Sequence, residues 1–444
     1  QVLFLSINYY SIFNNLKSVK KALTKNNKSI TSMKIKNHYF NLPLDYSFPD
    51  KEQINIFVRE VFKDTTHTKL PYLVYFQGGP GYESPRPITE TGWLKYALKY
   101  YRVLLLDQRG TGKSSPICKE DYIDLDIDES AYKVSLYRAD NIVRDAEEIR
   151  KRLIGSEKWS LLGQSFGGFC STHYLSFYQN SLDKVFITGG LPPLDAHPDE
   201  IYRRTYKRVI SKNKLFYQQF PEAKSNVLKI VDYLRLNKVI LPNGERLTLQ
   251  RFQQLGLNLG FSDGLAILNY LFEDAFSKNK MTYTFLKNIL TKQSFDTNPI
   301  FTILHEACYA QNFSTNWSAY KIKNEFNEYN NKESAFHFTG EMLYPWMMDE
   351  YKELRPFKEV ANRLAEKDDW PILYSSETLK NNKVPTATAV YTNDMYVDRE
   401  YSMETASKIK NIKVWETDQL EHNGLRSSGE LVLKTLFKSL DQNL

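Results

Sequence analysis

The chain has 444 residues and a formal net charge of +7, and 42% of its residues are hydrophobic. This length allows one large elaborated domain or two to three ordinary ones, with a sizeable core. Acidic and basic residues are interspersed without a dense Lys/Arg block, which argues against a nucleic-acid-binding protein. Three distant cysteines argue against a disulfide scaffold and fit a reducing compartment, so we expect a cytoplasmic protein.

Residues 1–32 begin with an apolar stretch that also holds Ser, Asn and Gln, and their lysines follow that stretch. A secretory signal peptide has its basic residues first, so secretion is the weaker alternative. No apolar run reaches the roughly 18 residues of a membrane span. We therefore expect residues 1–32 to be a frayed or surface-docked leader, and we expect no membrane association.

The pattern from residue 33 to 194 predicts strands that alternate with helices. Apolar residues recur with a period near two at 54–62, which indicates an N-terminal antiparallel strand pair. Continuous apolar strands follow at 72–77, 102–110, 159–164 and 184–190, with helices at 135–153 and 166–178. Such alternation predicts a mainly parallel sheet covered by helices on both faces.

This rhythm breaks after residue 194. The next stretch is polar-aromatic, has helical spacing and shows no strong strand. Two strands and a closing helix then follow, at 384–391, 412–417 and 428–440. We therefore predict one α/β domain built from residues 33–194 and 371–444, with a helical cap inserted at 195–370.

A serine between glycines stands where the predicted 159–164 strand ends. Residues 163–167, Gly-Gln-Ser-Phe-Gly, match the Gly-x-Ser-x-Gly pattern of a nucleophile elbow. The small neighbours let strand and helix approach while the serine adopts a strained backbone conformation. A plain tight turn is the alternative, but the strand before and the helix after favour Ser165 as a nucleophile.

A serine nucleophile needs a base, and the base needs an acid that orients it, in the chain order Ser, Asp or Glu, His. Of the seven histidines only His422 follows the last strand. Asp394 and Asp398 follow the strand before it, and Asp394 is nearer to the strand end, with Asp398 as the fallback. We predict a triad in which Asp394 orients His422, and His422 moves the Ser165 proton to the leaving group.

A glycine-rich loop, QGGPG, comes at the end of the 72–77 strand. Ligands of open parallel sheets bind beyond the carboxyl ends of the strands, where the serine also lies. We predict that the backbone N–H groups of Gly79 and Phe166 hold the oxyanion, with Gly78 as the alternative to Gly79. A plain turn is the other interpretation of the loop.

The stretch DQRGTGKSS, residues 107–115, is similar to the end of a phosphate-binding loop. That motif places a glycine with four residues between it and the Gly-Lys pair. Asp107 stands at that position, which disfavours an NTPase. We expect Asp107 and Arg109 to pair and brace this loop instead.

The motifs QGGPG, DQRGTGKS and GQSFGG, in this order, resemble those of the proline iminopeptidases, the peptidase branch of the α/β-hydrolases. The resemblance covers roughly residues 40–435 and is nearest to the larger bacterial type with an extended helical cap. The family's first loop usually begins with His, and here Gln77 replaces it. The resemblance implies an α/β-hydrolase fold and the same triad of Ser165, Asp394 and His422.

The resemblance also implies release of an N-terminal proline from peptides, without a metal or organic cofactor, by an enzyme whose cap glutamates hold the free imino group. Glu306 and Glu341 lie in apolar-aromatic stretches, where an ionised carboxylate is costly unless it meets a cation such as the substrate amine. Glu200 is a third candidate, and each of the three has a salt bridge to a nearby Lys or Arg as its alternative role. Aromatic residues suited to wall the proline pocket are Tyr309, Tyr344 and Trp346.

Peptides with an N-terminal proline are thus the expected partners, with no nucleic acid and no membrane. Whether the chain forms a homo-oligomer stays open. Two other functions compete with the aminopeptidase hypothesis. One is an esterase, an amidase or a broader aminopeptidase on the same machinery, and the other is a non-catalytic binding protein with a hydrolase fold.

Overall fold

The computed structural model describes residues 33–63, 70–122, 125–329 and 335–441, so the predicted leader lies outside the described residues. An eight-stranded sheet with the order β1-β2-β4-β3-β5-β6-β9-β10 forms its centre. The strands of this sheet are β1 (Met33–Pro43), β2 (Gln53–Lys63), β3 (Tyr72–Phe76), β4 (Arg102–Leu106), β5 (Trp159–Gln164), β6 (Leu182–Thr188), β9 (Thr386–Tyr391) and β10 (Ile412–Thr417).

The sheet is mainly parallel, as predicted. β1 pairs with β2 and β2 with β4 in antiparallel fashion, and every other neighbouring pair is parallel. The central strands are continuous apolar runs because both of their faces are covered. The carboxyl ends of β3, β5 and β9 therefore meet at one edge of the sheet.

Helices cover both faces of the sheet. The four helices that precede β6 are α1 (Gly92–Ala97), α2 (Ile127–Ser135), α3 (Ala139–Ile154) and α4 (Phe166–Phe177). Four more follow the insertion, namely α14 (Ser376–Lys380), α15 (Arg399–Lys408), α16 (Gly424–Ser427) and α17 (Gly429–Leu440). Val74 and Phe76 point into one core with α3 and α4, whereas Leu73 and Tyr75 point into the other with α1 and α17. This alternation follows from the period of two along a strand.

The long stretch between β6 and α14 is largely helical, and we call its part from α5 through α13 the cap. Its helices are α5 (Pro198–Gln219), α6 (Pro221–Leu236), α7 (Leu249–Gln253), α8 (Gly264–Glu273), α9 (Tyr283–Lys292), α10 (Pro299–Ile303), α11 (Ser318–Lys323), α12 (Met347–Glu350) and α13 (Lys358–Glu366). A short hairpin, β7 (Phe276–Ser277) with β8 (Lys280–Met281), interrupts them.

The domain boundaries at 195 and 370 stay predictions. None of the described helices is long and apolar enough to cross a membrane.

The predicted pairing of Asp107 with Arg109 is wrong. Arg109 donates from Nε and Nη2 to Asp145 of α3, at 2.8 and 2.7 Å, and to three backbone carbonyls. Asp107 instead accepts from both terminal nitrogens of Arg86, at 3.0 and 2.8 Å. A fully buried guanidinium needs an acceptor for each donor, and the surroundings of Asp145 supply these where a single carboxylate at Asp107 would not.

The helix predicted at 135–153 is α3, which begins later, at Ala139. Arg138, the residue before it, has extended backbone and ends the link from α2. The apolar positions of the α2 end and of α3 follow each other at helical spacing, so the pattern alone merges the two elements.

Candidate active site

Ser165 stands at the junction of β5 and α4, where the chain turns sharply. Its φ of 54° and ψ of −125° are a strained combination for a residue with a side chain. Gly167 permits this turn, because a side chain there would collide with the Phe76 carbonyl of the adjacent β3. The result is the backbone geometry of a nucleophile elbow, with the serine at the carboxyl edge of the sheet.

Ser165 and Asp394 contact opposite nitrogens of the His422 ring. The distance from His422 Nε2 to Ser165 Oγ is 2.9 Å, and that from His422 Nδ1 to Asp394 Oδ2 is 2.6 Å. Because an ionised carboxylate only accepts, Nδ1 carries the proton and Nε2 is left to accept from the serine hydroxyl. All three side chains are buried, which strengthens both hydrogen bonds.

The loop that follows β9 fixes the Asp394 carboxylate. Its other oxygen, Oδ1, accepts from the backbone N–H groups of Tyr396 and Val397 at 2.8 and 3.1 Å. The fallback residue Asp398 lies farther along this loop and caps α15, where it accepts from the Tyr401 N–H at 3.1 Å. Asp394 is therefore the carboxylate that contacts His422.

Burial and nearby carboxylates act in opposite directions on the pKa of His422. Burial by itself acts to lower the pKa of His422. The charge of Asp394, its hydrogen bond and the charge of Glu341 together outweigh burial, so the pKa of His422 is raised above its ordinary value. A base with a raised pKa takes a proton from the serine more readily, provided that it is neutral beforehand.

The loop from Gln77 to Gly81 lies against the serine. A side chain at Gly78 would place its Cβ 2.9 Å from the Ser165 Cβ. In the part of the chain that the structure describes, the backbone N–H groups of Gly78, Gly79 and Phe166 donate to no protein acceptor. The choice of Gly79 over Gly78 as an oxyanion donor therefore stays a prediction.

Gln77, which departs from the family's usual histidine, has defined partners. Its side-chain oxygen accepts from the Tyr75 hydroxyl at 3.0 Å, and its carbonyl accepts from the Gln108 side-chain amide, also at 3.0 Å. Ser84, at the far end of the loop, donates its hydroxyl to the Leu106 carbonyl at 2.6 Å. The end of β4 and the residues just after it therefore hold the glycine-rich loop and the chain that follows it in place.

Of the two buried cap carboxylates predicted to bind the amine, Glu341 is the one whose pKa is affected by the charges of the triad residues His422 and Asp394. Burial raises the pKa of Glu341 to about 7, with the charge of His422 acting against this and that of Asp394 adding to it. Its nearest basic group is His305 Nε2, at 3.9 Å, and burial lowers the pKa of His305 to about 4. His305 is neutral at neutral pH, and no described Lys or Arg forms an ion pair with Glu341.

The other two carboxylates have protein partners. Both oxygens of buried Glu306 accept from the start of α11, from the Ser318 and Ala319 N–H groups at 3.0 and 2.9 Å. Burial nevertheless raises the pKa of Glu306 to about 7. Glu200 is exposed in the first turn of α5 and forms an ion pair with Arg203. The structure therefore does not bring Glu200 to the triad.

Several tyrosines lie within electrostatic range of Glu341, and further aromatic residues of the cap and core pack on one another. Its charge adds to the effect of burial in raising the pKa of four tyrosines, namely Tyr82, Tyr202, Tyr309 and Tyr396. The Tyr309 ring packs edge-on against Phe169 of α4, with centroids 5.7 Å apart. Tyr344 and Trp346 stack on each other, with centroids 5.5 Å apart and planes 16° apart.

Sequence reasoning missed Tyr396 and Asn423, which adjoin the triad. The Tyr396 ring lies 4.5 Å from the His422 ring, centroid to centroid. Asn423 Oδ1 accepts from the Ser262 N–H and hydroxyl, at 3.1 and 2.9 Å. Their proximity in sequence to Asp394 and His422 is the signal that would have found them.

Comparisons with known proteins agree with this geometry. A family model described as the alpha/beta hydrolase fold matches residues 71–237. A proline iminopeptidase from Aeromonas sobria is 47% identical over 404 residues, which cover 90% of this chain and 95% of that protein. A proline iminopeptidase from Aspergillus aculeatus is 35% identical over 413 residues, 90% of this chain and 92% of that protein.

Such identity over nearly the full length of both relatives is far beyond what a shared fold alone produces. The parallel sheet and the elbow at Ser165 are in place as well. The chain therefore belongs to the proline iminopeptidase family of the α/β-hydrolase fold.

Proposed function

We propose that the chain is a serine aminopeptidase that releases an N-terminal proline from peptides. One observation carries this proposal. A serine already hydrogen-bonded to a histidine–aspartate pair lies within electrostatic range of Glu341, a carboxylate that lacks a cationic protein partner among the described residues. The pair supplies acyl transfer, and the carboxylate supplies a place for a positively charged amine.

In the acylation step, Ser165 Oγ bonds to the prolyl carbonyl carbon while His422 Nε2 takes the hydroxyl proton. The carbonyl oxygen becomes negatively charged and accepts from the N–H groups of Gly79 and Phe166. The C–N bond then breaks, and His422 gives its proton to the leaving amine. Asp394 keeps the ring in the required tautomer and stabilises its charged form.

In the deacylation step, His422 takes a proton from water, and the oxygen of that water bonds to the acyl carbon. The bond to Ser165 breaks, the serine regains its proton from His422, and free proline leaves. These steps need only groups that the chain itself provides, so the proposal includes no cofactor.

Recognition of the free amine is assigned to Glu341. An ionised Glu341 meets the charged imino group of the substrate in surroundings with little water, where such a pair is strong. Glu306 has both oxygens engaged by α11, so we propose that it serves the fold of the cap. The ion pair with Arg203 argues against Glu200 as an amine ligand.

The stacked pair of Tyr344 and Trp346, with Tyr309, is the proposed wall for the proline ring. Tyr344 is held by a hydrogen bond between its hydroxyl and that of Tyr206, at 2.9 Å. A rigid aromatic face offers apolar contact to the methylene groups of the five-membered proline ring.

The proposed partners are peptides with a free N-terminal proline, without nucleic acid or membrane. The three cysteines, Cys118, Cys170 and Cys308, are free thiols, which supports a reducing compartment such as the cytoplasm. We also keep the division into core and cap at residues 195 and 370 as a proposal.

The test combines a covalent probe with two matched substrates. A fluorophosphonate should label the wild type, and labelling should vanish in Ser165→Ala. Prolyl arylamide should be hydrolysed at least a hundredfold faster than its N-acetylated counterpart. An unlabelled wild type would exclude serine catalysis, whereas equal turnover of the two arylamides would favour an esterase or amidase without amine recognition.

A further inference from the structure

We propose that the cap positions the catalytic base, in addition to binding substrate. Three contacts run from the cap to the immediate neighbours of His422, and we call them the histidine clasp. They join Lys212 to Glu421, Ser262 to Asn423, and the Leu257 carbonyl to Tyr396. The inference rests on the proposed function, since it assigns His422 as the base.

The first contact is a partly buried ion pair between Lys212 and Glu421. Lys212 lies near the end of α5, and its side chain is only 5% exposed. Its Nζ donates to Oε1 of Glu421, the residue directly before His422. The other oxygen, Oε2, is buried and has no hydrogen-bond partner among the described residues, so Lys212 is the group that holds this carboxylate. Removing Lys212 would therefore leave the Glu421 carboxylate without a compensating charge, and the position of Glu421 would no longer be fixed.

The second contact holds the residue directly after His422. Asn423 Oδ1 accepts from both the N–H and the hydroxyl of Ser262, in the turn before α8. Two donors on one amide oxygen fix the orientation of the side chain. His422 is thus held on both sides along the chain by groups that belong to the cap.

The third contact holds the ring of His422 from its face. Tyr396 packs on this ring, and its hydroxyl donates to the Leu257 carbonyl. Tyr396 also stacks on Phe261, with centroids 5.7 Å apart and planes 20° apart. A side chain at Gly260 would collide with the Tyr396 ring, so the cap turn approaches it as closely as a backbone can.

The two hydrogen bonds of the His422 ring depend on the exact position of that ring. The His422 ring must reach Ser165 and Asp394 at once, at 2.9 and 2.6 Å. A displacement of about 1 Å in such a site can cost roughly a hundredfold in rate. Lys212, Ser262 and Tyr396 are therefore positioning residues, and the cap contributes to the chemical step even for a molecule that makes no use of the amine site.

A small fluorophosphonate tests this point, because it lacks an amine and needs only the triad. Ser165 Oγ bonds to its phosphorus, fluoride leaves, and His422 takes the proton. The rate constant is taken from the time course of labelling, normalised to the final extent of labelling. Misfolded protein, which is never labelled, lowers the final extent but not this rate constant. We expect Lys212→Met to lower this rate constant and kcat for prolyl arylamide by about 10- to 100-fold each, with KM changed less than twofold.

Arg204→Met is the matched control. Arg204 also lies on α5 and also forms ion pairs across to the core, with Asp398 and Glu400 at 3.6 and 3.5 Å, but it contacts no neighbour of His422. Its labelling rate should equal that of the wild type. Ser262→Ala, which keeps the backbone donor, should lower the rate a few-fold, and Lys212→Arg should restore most of it.

Wild-type labelling rates in both Lys212→Met and Ser262→Ala would overturn the proposed clasp while leaving the proposed function intact. If Lys212→Met does not fold, Ser262→Ala decides the question. A wild type that is neither labelled nor active on prolyl arylamide would instead refute the proposed function itself.

Discussion

The two halves of the candidate site differ in how their polar groups are satisfied. On the core side, each heteroatom of Asp394 and of the His422 ring has a protein partner. On the cap side, Glu341 is 17% exposed, and its nearest basic group is a neutral histidine. The core half thus has its partners before substrate arrives, whereas Glu341 meets no Lys or Arg among the described residues, and we propose that a substrate amine fills this place.

This difference separates two kinds of contribution to the reaction. A group whose partners are all protein atoms stabilises the transition state for every substrate that reaches Ser165. A group whose partner is part of the substrate acts only on molecules that carry that part. Variants on the two sides should therefore differ in selectivity, beyond the size of their effects.

The largest effect is expected on the core side, from Asp394→Asn. The amide would donate where Nδ1 must donate, so His422 would adopt the wrong tautomer. We expect kcat to fall about 10⁴-fold for prolyl arylamide and for its N-acetylated counterpart alike. Steady-state kinetics on both substrates check this, and a loss confined to the free amine would contradict the division of roles.

Glu341→Gln should lower activity less than Asp394→Asn does, and only on the substrate with a free amine. We expect kcat/KM for prolyl arylamide to fall about a hundredfold, because one partner of a buried charge pair is removed. The N-acetylated arylamide should react as with the wild type. Equal losses on the two substrates would instead place Glu341 in the acyl-transfer machinery.

The slope of log kcat/KM against pH should distinguish the core half of the site from the cap half. Glu341 must be ionised to bind the amine and His422 must be neutral to act as base, so both must lose a proton. The pKa of Glu341 is raised to about 7 by burial, and that of His422 is raised as well. Below both pKa values, log kcat/KM for prolyl arylamide should fall with a slope near two as pH decreases.

Glu341→Gln removes one of these ionisations, and its slope should be near one. The wild type acting on the N-acetylated arylamide should also show a slope near one, which serves as the control. A slope of one for wild type with the free amine would mean that Glu341 ionisation does not govern binding.

The smallest effect is expected from Glu306→Gln, a comparison within the cap. Its carboxylate accepts from two N–H groups at the start of α11, and an amide would oppose one of them. We expect the free energy of unfolding to fall by about 1–2 kcal/mol. The preference for the free amine over the acetylated substrate should not change, and a lost preference would assign Glu306 to the amine site. Denaturant unfolding and the two arylamide rates measure these outcomes.

Much of the core was predictable because its signals are local. The apolar runs that became β3, β5 and β9 each end in residues of a recognisable pattern, and parallel strands bring those ends together. Chain order then left His422 as the one histidine after the last strand. Ser165, Asp394 and His422 lie in contact accordingly, and their catalytic roles stay predictions.

The cap was less predictable because its contacts join distant residues. Lys212 and Glu421 are 209 positions apart, and nothing around either one marks the other. Glu306 and Glu341 occupy similar apolar-aromatic stretches, yet a helix start engages only Glu306. The Asp107–Arg109 error has the same origin, since the true partner of Arg109 is set by packing of α3 against the sheet.

The separation of Ser165 and His422 along the chain has a consequence for biosynthesis. The two residues touch, but they are 257 positions apart along the chain, and the whole cap is encoded in that interval. Translation runs from the N-terminus, so a growing chain has its proposed nucleophile, Ser165, long before its proposed base, His422. Peptide hydrolysis can therefore begin only after the ribosome has finished the cap, and every active molecule already carries the elements proposed to select its substrates.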